Sequence, residues 1–119
     1  MSTRGFQDMK VWQVAVDLSV ECYQCTALFP SHEQFGLSSQ ARRAAVSVPS
    51  NIAEGQGRAH RGEFLHHLSI ARGSLQELQT LFYIAERLGY VAAERLQRPR
   101  EMCDHVSRML TRLRRSLSS

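Results

Sequence analysis

The chain has 119 residues, 43% hydrophobic and 22% charged, with a formal net charge of +4. That suits one domain with one core and excludes a disordered chain. The longest stretch free of formal charge, Cys22 to His32, holds polar residues and is eleven long. It falls short of the roughly 20 apolar residues a membrane span requires. Met1 to Trp12 contains Asp8 and Lys10 and no apolar run. No secretory leader is expected, the expected location is the cytoplasm, and the three cysteines are expected as reduced thiols.

Glycine and proline are sparse and divide the chain into helical stretches. The first is expected from Asp8, as N-cap, to Phe29, where Pro30 ends it. Val11, Ala15, Leu18, Cys22, Cys25 and Phe29 follow a 4-3-4-3-4 spacing, the seam of a helix rather than the alternation of a strand. The second stretch, 38–55, places Leu37, Ala41, Ala44, Val48 and Ile52 on one face. Pro49 interrupts it, and two outcomes are open: a kink, or a break with Asn51 capping a new turn. Glycines 55, 57 and 62 mark the next turn.

The third stretch, 61–88, has the strongest pattern: Phe64, Leu68, Ala71, Leu75, Leu78, Phe82 and Ala85, closed by Gly89. Ile70, Leu81, Ile84 and Leu88 form a second apolar face, which needs cover and marks a candidate oligomer interface. The fourth stretch, 92–117, carries Cys103, Val106, Leu110, Leu113 and Leu117. Pro99 is expected to delay or kink its start. Four amphipathic helices with short connections and no strand pattern predict an all-α fold. The expected architecture is an antiparallel up-down four-helix bundle, a single domain over residues 1–119.

Constellations that carry chemistry are few. Cys22 and Cys25 form a CxxC, but both fall mid-helix on the apolar seam, so core packing explains them better than redox or zinc chemistry. Glu63 and His66 form a single Glu-x-x-His, where a di-metal carboxylate bundle needs two such pairs and two further glutamates. No metal and no cofactor are expected. The glycine-rich run 54–58 lacks the marks of a dinucleotide or phosphate loop and reads as a turn. Ile52 to Phe64 is superficially like a helix-turn-helix, but its would-be reading helix is too long.

Two polar features stand out. Gln40, Arg43, Ser47, Ser50, Asn51 and Glu54 share one face of the second helix. They read as a hydrogen-bonded seam in which Arg43 and Glu54 neutralise one another, with a ligand or partner surface as the alternative. Basic charge is the other feature: residues 1–97 balance at nine basic and nine acidic side chains, whereas 98–119 hold six arginines against Glu101 and Asp104. Arg108, Arg112 and Arg115 lie opposite the Val106/Leu110/Leu113 seam. The helix macrodipole and a grip on phosphate explain them equally well. With Arg58 and Arg61 at the helix two–three turn, they are the candidate nucleic-acid contacts.

The run from Gln40 to Arg58, QARRAAVSVPSNIAEGQGR, closely resembles the hallmark of the 23S rRNA intervening-sequence protein family, also called the four helix bundle protein family. Trp12, Tyr23, Phe29-Pro30, Phe35-Gly36-Leu37, Gly73-Ser74, Glu77-Leu78 and Leu88-Gly89-Tyr90 extend the resemblance over about residues 6–117. The chain departs from the pattern at Ala92, where members carry Ser or Thr, and at Pro99. The resemblance implies a short cytosolic bacterial four-helix bundle that assembles as a homopentameric ring and has no enzymatic activity. A related protein, the accessory variability determinant of diversity-generating retroelements, is a basic pentameric barrel that binds nucleic acid and a reverse transcriptase.

The expectation is thus a non-enzymatic, self-assembling protein, a homopentamer, with RNA or another nucleic acid as candidate ligand. The alternatives are a protein-binding adaptor, for example for a polymerase, that uses the polar stripe of helix two, and a metal-dependent enzyme built on Glu63 and His66.

Overall fold

The structure, a computed structural model, describes residues 5–118. The absence of a leader, read at Met1–Trp12, rests in part on residues 1–4, which lie outside the described residues. Four helices make up the fold: α1 (Lys10–Thr26), α2 (Leu37–Gln56), α3 (Arg61–Arg87) and α4 (Ala93–Ser118), with 3-10 turns at Gly5–Asp8 and Ser31–Glu33. No strand occurs among the described residues. α2 packs on α1 and α3, and α4 packs on the same two helices, so the four close around one core. The body measures 46 × 25 × 21 Å. No helix is long and apolar enough to cross a membrane.

α1 is shorter than its apolar spacing predicts. Asp8 belongs to the preceding 3-10 turn, and the cap position falls to Met9, which makes no side-chain cap bond. At the other end the chain tightens into a turn, with Leu28 N–H donating to Cys25 O and Phe29 N–H to Thr26 O. Phe29 is therefore buried from a turn rather than from the helix.

α2 runs unbroken through Pro49, which overturns the expected alternative of a new turn capped by Asn51. The Asn51 amide instead donates back to Ser47 O at 2.9 Å. Proline cannot donate to the carbonyl four residues earlier, and that carbonyl must find another partner if buried. Here it does: the Ser19 hydroxyl of α1, its one proton shared between Ala15 O and Ala45 O, reaches each at 3.1 Å. The lost helical bond is replaced by one that ties two helices together.

Gly55, expected in a turn, lies inside α2. A Cβ there would stand 2.8 Å from His67 Cβ and 2.9 Å from Phe64 Cδ1, so the missing side chain is what lets α3 come close. The start of α2 is held by Glu33, whose Oε1 accepts Leu37 N–H at 2.9 Å and whose Oε2 accepts the Tyr90 hydroxyl at 2.9 Å. Those two bonds, the Leu37 one foremost, hold the Glu33 carboxyl below the ordinary carboxylate range.

α3 ends as its glycine predicts. Gly89 has φ +77°, with Tyr90 N–H on Ala85 O and Gly89 N–H on Glu86 O, the paired bonds of a Schellman stop. α4 begins at Ala93, six residues before Pro99, so the proline does not delay it; its ring is fully buried inside the helix. One assignment on α3 needs correction. Leu81 is only 6% exposed and belongs to the core, because it stands three residues from Leu78 and four from Ala85 on the edge of the same stripe. It is unavailable to a second subunit.

Candidate functional site

The cysteines belong to the core. Cys22, Cys25 and Cys103 are all buried, and Cys22 donates to Ala41 O at 3.6 Å. Burial first, then the neighbouring Cys25, pushes the Cys22 thiol up to about 12. Burial and Asp104 push Cys103 up to about 12, and burial raises Cys25 as well. These are protonated, unreactive thiols at neutral pH, the reverse of what a redox or zinc CxxC requires. Glu63 and His66 are both exposed near the start of α3. Among the described residues no three His, Cys, Asp or Glu side chains come together to hold a metal.

The polar stripe of α2 divides along its length. Its middle is a seam to α3: the Ser74 hydroxyl donates to Ser47 Oγ at 2.8 Å, and Asn51 Oδ1 meets His67 Nδ1 at 3.0 Å. Its ends are solvated, with Gln40, Arg43 and Glu54 exposed, and Ser50 on its outer edge is exposed as well. Arg43 and Glu54 do not neutralise one another. Eleven residues of helix hold them roughly 16 Å apart, and Glu54 pairs with Arg58 at 3.0 Å. Arg43 and Ser47 border a groove of about 520 Å³ that Tyr23, Gln34, Phe35, Ser39, Arg42 and Val46 complete. Arg42 is fixed there, donating to Thr26 Oγ1 at 2.8 Å with its guanidinium 4.6 Å above the Tyr23 ring.

The arginines are not one population. Arg95 and Arg98 reach the two oxygens of Glu21 at 2.8 and 3.2 Å, and Arg100 reaches Glu86 at 2.6 Å. Further along α4, Arg108, Arg112, Arg114 and Arg115 have no ion-pair partner among the described residues. Arg108, Arg112 and Arg115 are exposed, whereas Arg114 is half-buried. Arg58 and Arg61 lie apart from them at the α2–α3 turn, also exposed. Arg72 of α3, by contrast, joins Thr111, Arg114, Arg115 and Ser118 around a surface recess of about 500 Å³.

Arg72 and Arg114 were not among the residues singled out in the sequence, and no linear pattern would have found them. Their meeting depends on how α3 and α4 are set against each other. Exposed apolar side chains form another feature. Ile70, Tyr83, Ile84 and Leu88 on α3 are open, as are Val20, Tyr23, Phe35 and Val46 on the α1–α2 side, with Phe35 90% exposed. Phe35 was legible only as a family match, because an aromatic ring in a loop carries no periodicity.

A search of curated proteins finds no match. A family model does match, over residues 7–112, from the first 3-10 turn to the arginine stripe of α4. That span holds all of α1, α2 and α3, the α2 stripe, and both Arg108 and Arg112. The chain belongs to the 23S rRNA-intervening sequence protein family.

Proposed function

We propose that this chain is a non-enzymatic cytoplasmic protein that binds RNA through the second half of α4. The observation that carries the reading is the arginine run Arg108, Arg112, Arg114 and Arg115, four cations that make no ion pair among the described residues. Unneutralised guanidinium groups on one helix end are the electrostatic requirement for gripping a phosphate backbone. The name of the family, which refers to ribosomal RNA, points the same way. Filter binding of single-stranded RNA tests it. Binding is expected to weaken steeply with salt and to fall when Arg108, Arg112 and Arg115 become Ala. Absent or salt-insensitive binding overturns the reading.

A second reading concerns assembly and rests on the apolar exposure. Two separate sets of open apolar side chains, Ile70/Ile84/Leu88 along one face of α3 and Tyr23/Phe35/Val46 beside α2, suit a head-to-tail contact in which one set of each subunit meets the other set of the next. Such contacts close into a ring where the rotation between subunits divides a full turn, and the homopentamer expected for the family is one such ring. The pairs Ser19–Ala45, Ser47–Ser74 and Gln79–Asp104 support an up-down antiparallel course for the four helices in each subunit. Five copies gather a charge of about +20, enough to attract an anionic polymer at low salt. Light scattering is expected to give about five times the 13.5 kDa chain mass. A monomer at micromolar concentration overturns this.

A further inference from the structure

The recess between α3 and α4 has a composition that bulk surface charge does not explain. Its lining among the described residues is Arg72, Thr111, Arg114, Arg115 and Ser118, three guanidinium groups and two hydroxyls with no carboxylate. Arg114 is the telling member. Its Nε is shielded from solvent and has no hydrogen-bond partner, the one such side-chain nitrogen or oxygen among the described residues. A buried donor without an acceptor is costly, and a guanidinium fork left open is a demand for a bidentate anion. The hydroxyl protons are already committed, Thr111 to Ser107 O at 3.0 Å and Ser118 to Arg114 O at 2.8 Å. Every free donor in the recess is therefore cationic. The carbonyl end of α4 adds about half a negative charge nearby, which three whole positive charges outweigh.

We propose that this recess binds a phosphate group, with Arg114 turning outward to donate Nε and Nη side-on while Arg72 and Arg115 complete the cradle. A tetrahedral oxyanion matches the size and the all-donor lining; hydrogen phosphate also carries a hydrogen that the Thr111 and Ser118 oxygens can accept. The site differs from the outward stripe of Arg108 and Arg112, since it recruits Arg72 from another helix and extends past Arg112, where the family match stops. It stands whether or not RNA is what α4 binds. The phosphate comes from either of two sources, an RNA backbone or a free phosphomonoester.

The test is a titration with inorganic phosphate against chloride at matched ionic strength, read on the Arg side-chain N–H signals by NMR. A saturable shift confined to Arg72, Arg114 and Arg115 is expected. Arg114→Gln and Arg72→Gln are each expected to weaken it about tenfold, the loss of one charge-assisted hydrogen bond. Arg114→Lys, which keeps the charge but loses the fork, is expected to weaken it too. Arg87→Gln, a folding and net-charge control at the far end of α3 from Arg72, is expected to leave it unchanged. Displacement of phosphate by an unphosphorylated RNA oligonucleotide identifies the backbone as the source. Displacement only by a 5′-phosphorylated nucleotide identifies a terminal phosphate. A response no larger than that of chloride, or one that survives the Arg72→Gln/Arg114→Gln pair, overturns the proposal. RNA binding through Arg108 and Arg112 would be untouched by that result.

Discussion

In the first half of α4, Arg95 and Arg98 converge on Glu21 and Arg100 meets Glu86; in the second half, Arg108, Arg112, Arg114 and Arg115 meet no acid among the described residues. The side chain is the same and the helix is the same. What differs is the neighbouring helix: α1 and α3 offer a carboxylate to the first half, and only Arg72 borders the recess of the second. Charge counted along the chain puts Arg98 and Arg100 with the basic tail, but Arg100 is paired with Glu86 and Arg98 shares Glu21 with Arg95, so two carboxylates offset two of these three charges in place. The lesson is that net charge locates a partner only after tertiary ion pairs are subtracted.

The first half of α4 is also bound to the core through Cys103, and this gives the largest expected effect. Cys22 and Cys103 are held at about 12, against an ordinary value of 9.0. A raised pKa means the folded state keeps a proton that the unfolded chain releases, so stability is full below pH 9 and falls as pH rises toward 12. The loss is about 1.4 kcal/mol per pH unit for each thiol. Tyr90, raised by its hydrogen bond to Glu33, and Cys25, raised by burial, add to the same alkaline fall in urea midpoint, so the share of Cys103 is read from its variant. Cys103→Ala is expected to flatten the fall. An unchanged slope would detach Cys103 from the alkaline transition.

Glu21 comes next. Its side chain is 12% exposed and accepts from both Arg95 and Arg98. Glu21→Ala removes the acceptor for two guanidinium groups and leaves Arg95 half-buried without it. Charge-assisted bonds of this kind are worth about 1–3 kcal/mol, and a loss in that range is expected by urea denaturation. A neutral result would make the two halves of α4 equivalent, and the contrast between them would disappear.

Much of this fold was legible beforehand, for a definite reason. The four seams, the glycine stop at Gly89 and the core cysteines all follow from helical period and local chain chemistry, which neighbours in sequence determine. What was not legible depends on distance partners. Pro49 looked like an interruption because its remedy, Ser19, lies 30 residues away on another helix. Gly55 looked like a turn because the reason for its missing side chain is the approach of His67 and Phe64. Arg43 and Glu54 share a face but not a turn, and sharing a face does not make a pair. The recess escaped notice for the same reason, since half of it belongs to α3.

The smallest effect on stability is also the sharpest test of the comparison, because it asks two pairs of arginines to exchange roles and expects them to refuse. Arg108→Ala/Arg112→Ala removes two exposed, unpaired cations. Its urea midpoint is expected to correspond to a change within about 0.5 kcal/mol, as for surface substitutions that touch nothing. Its RNA-binding curve, however, should lose slope against log salt, by about 0.7 for each phosphate contact removed from a single strand. Arg95→Ala/Arg98→Ala removes the same formal charge from the same helix and leaves Glu21 without either partner. There the stability should fall while the salt slope changes less, because Glu21 already offsets one of the two charges inside the fold and ties both guanidinium groups. If both pairs shift the salt slope alike, long-range net charge governs binding and the local pairing of α4 is irrelevant to it.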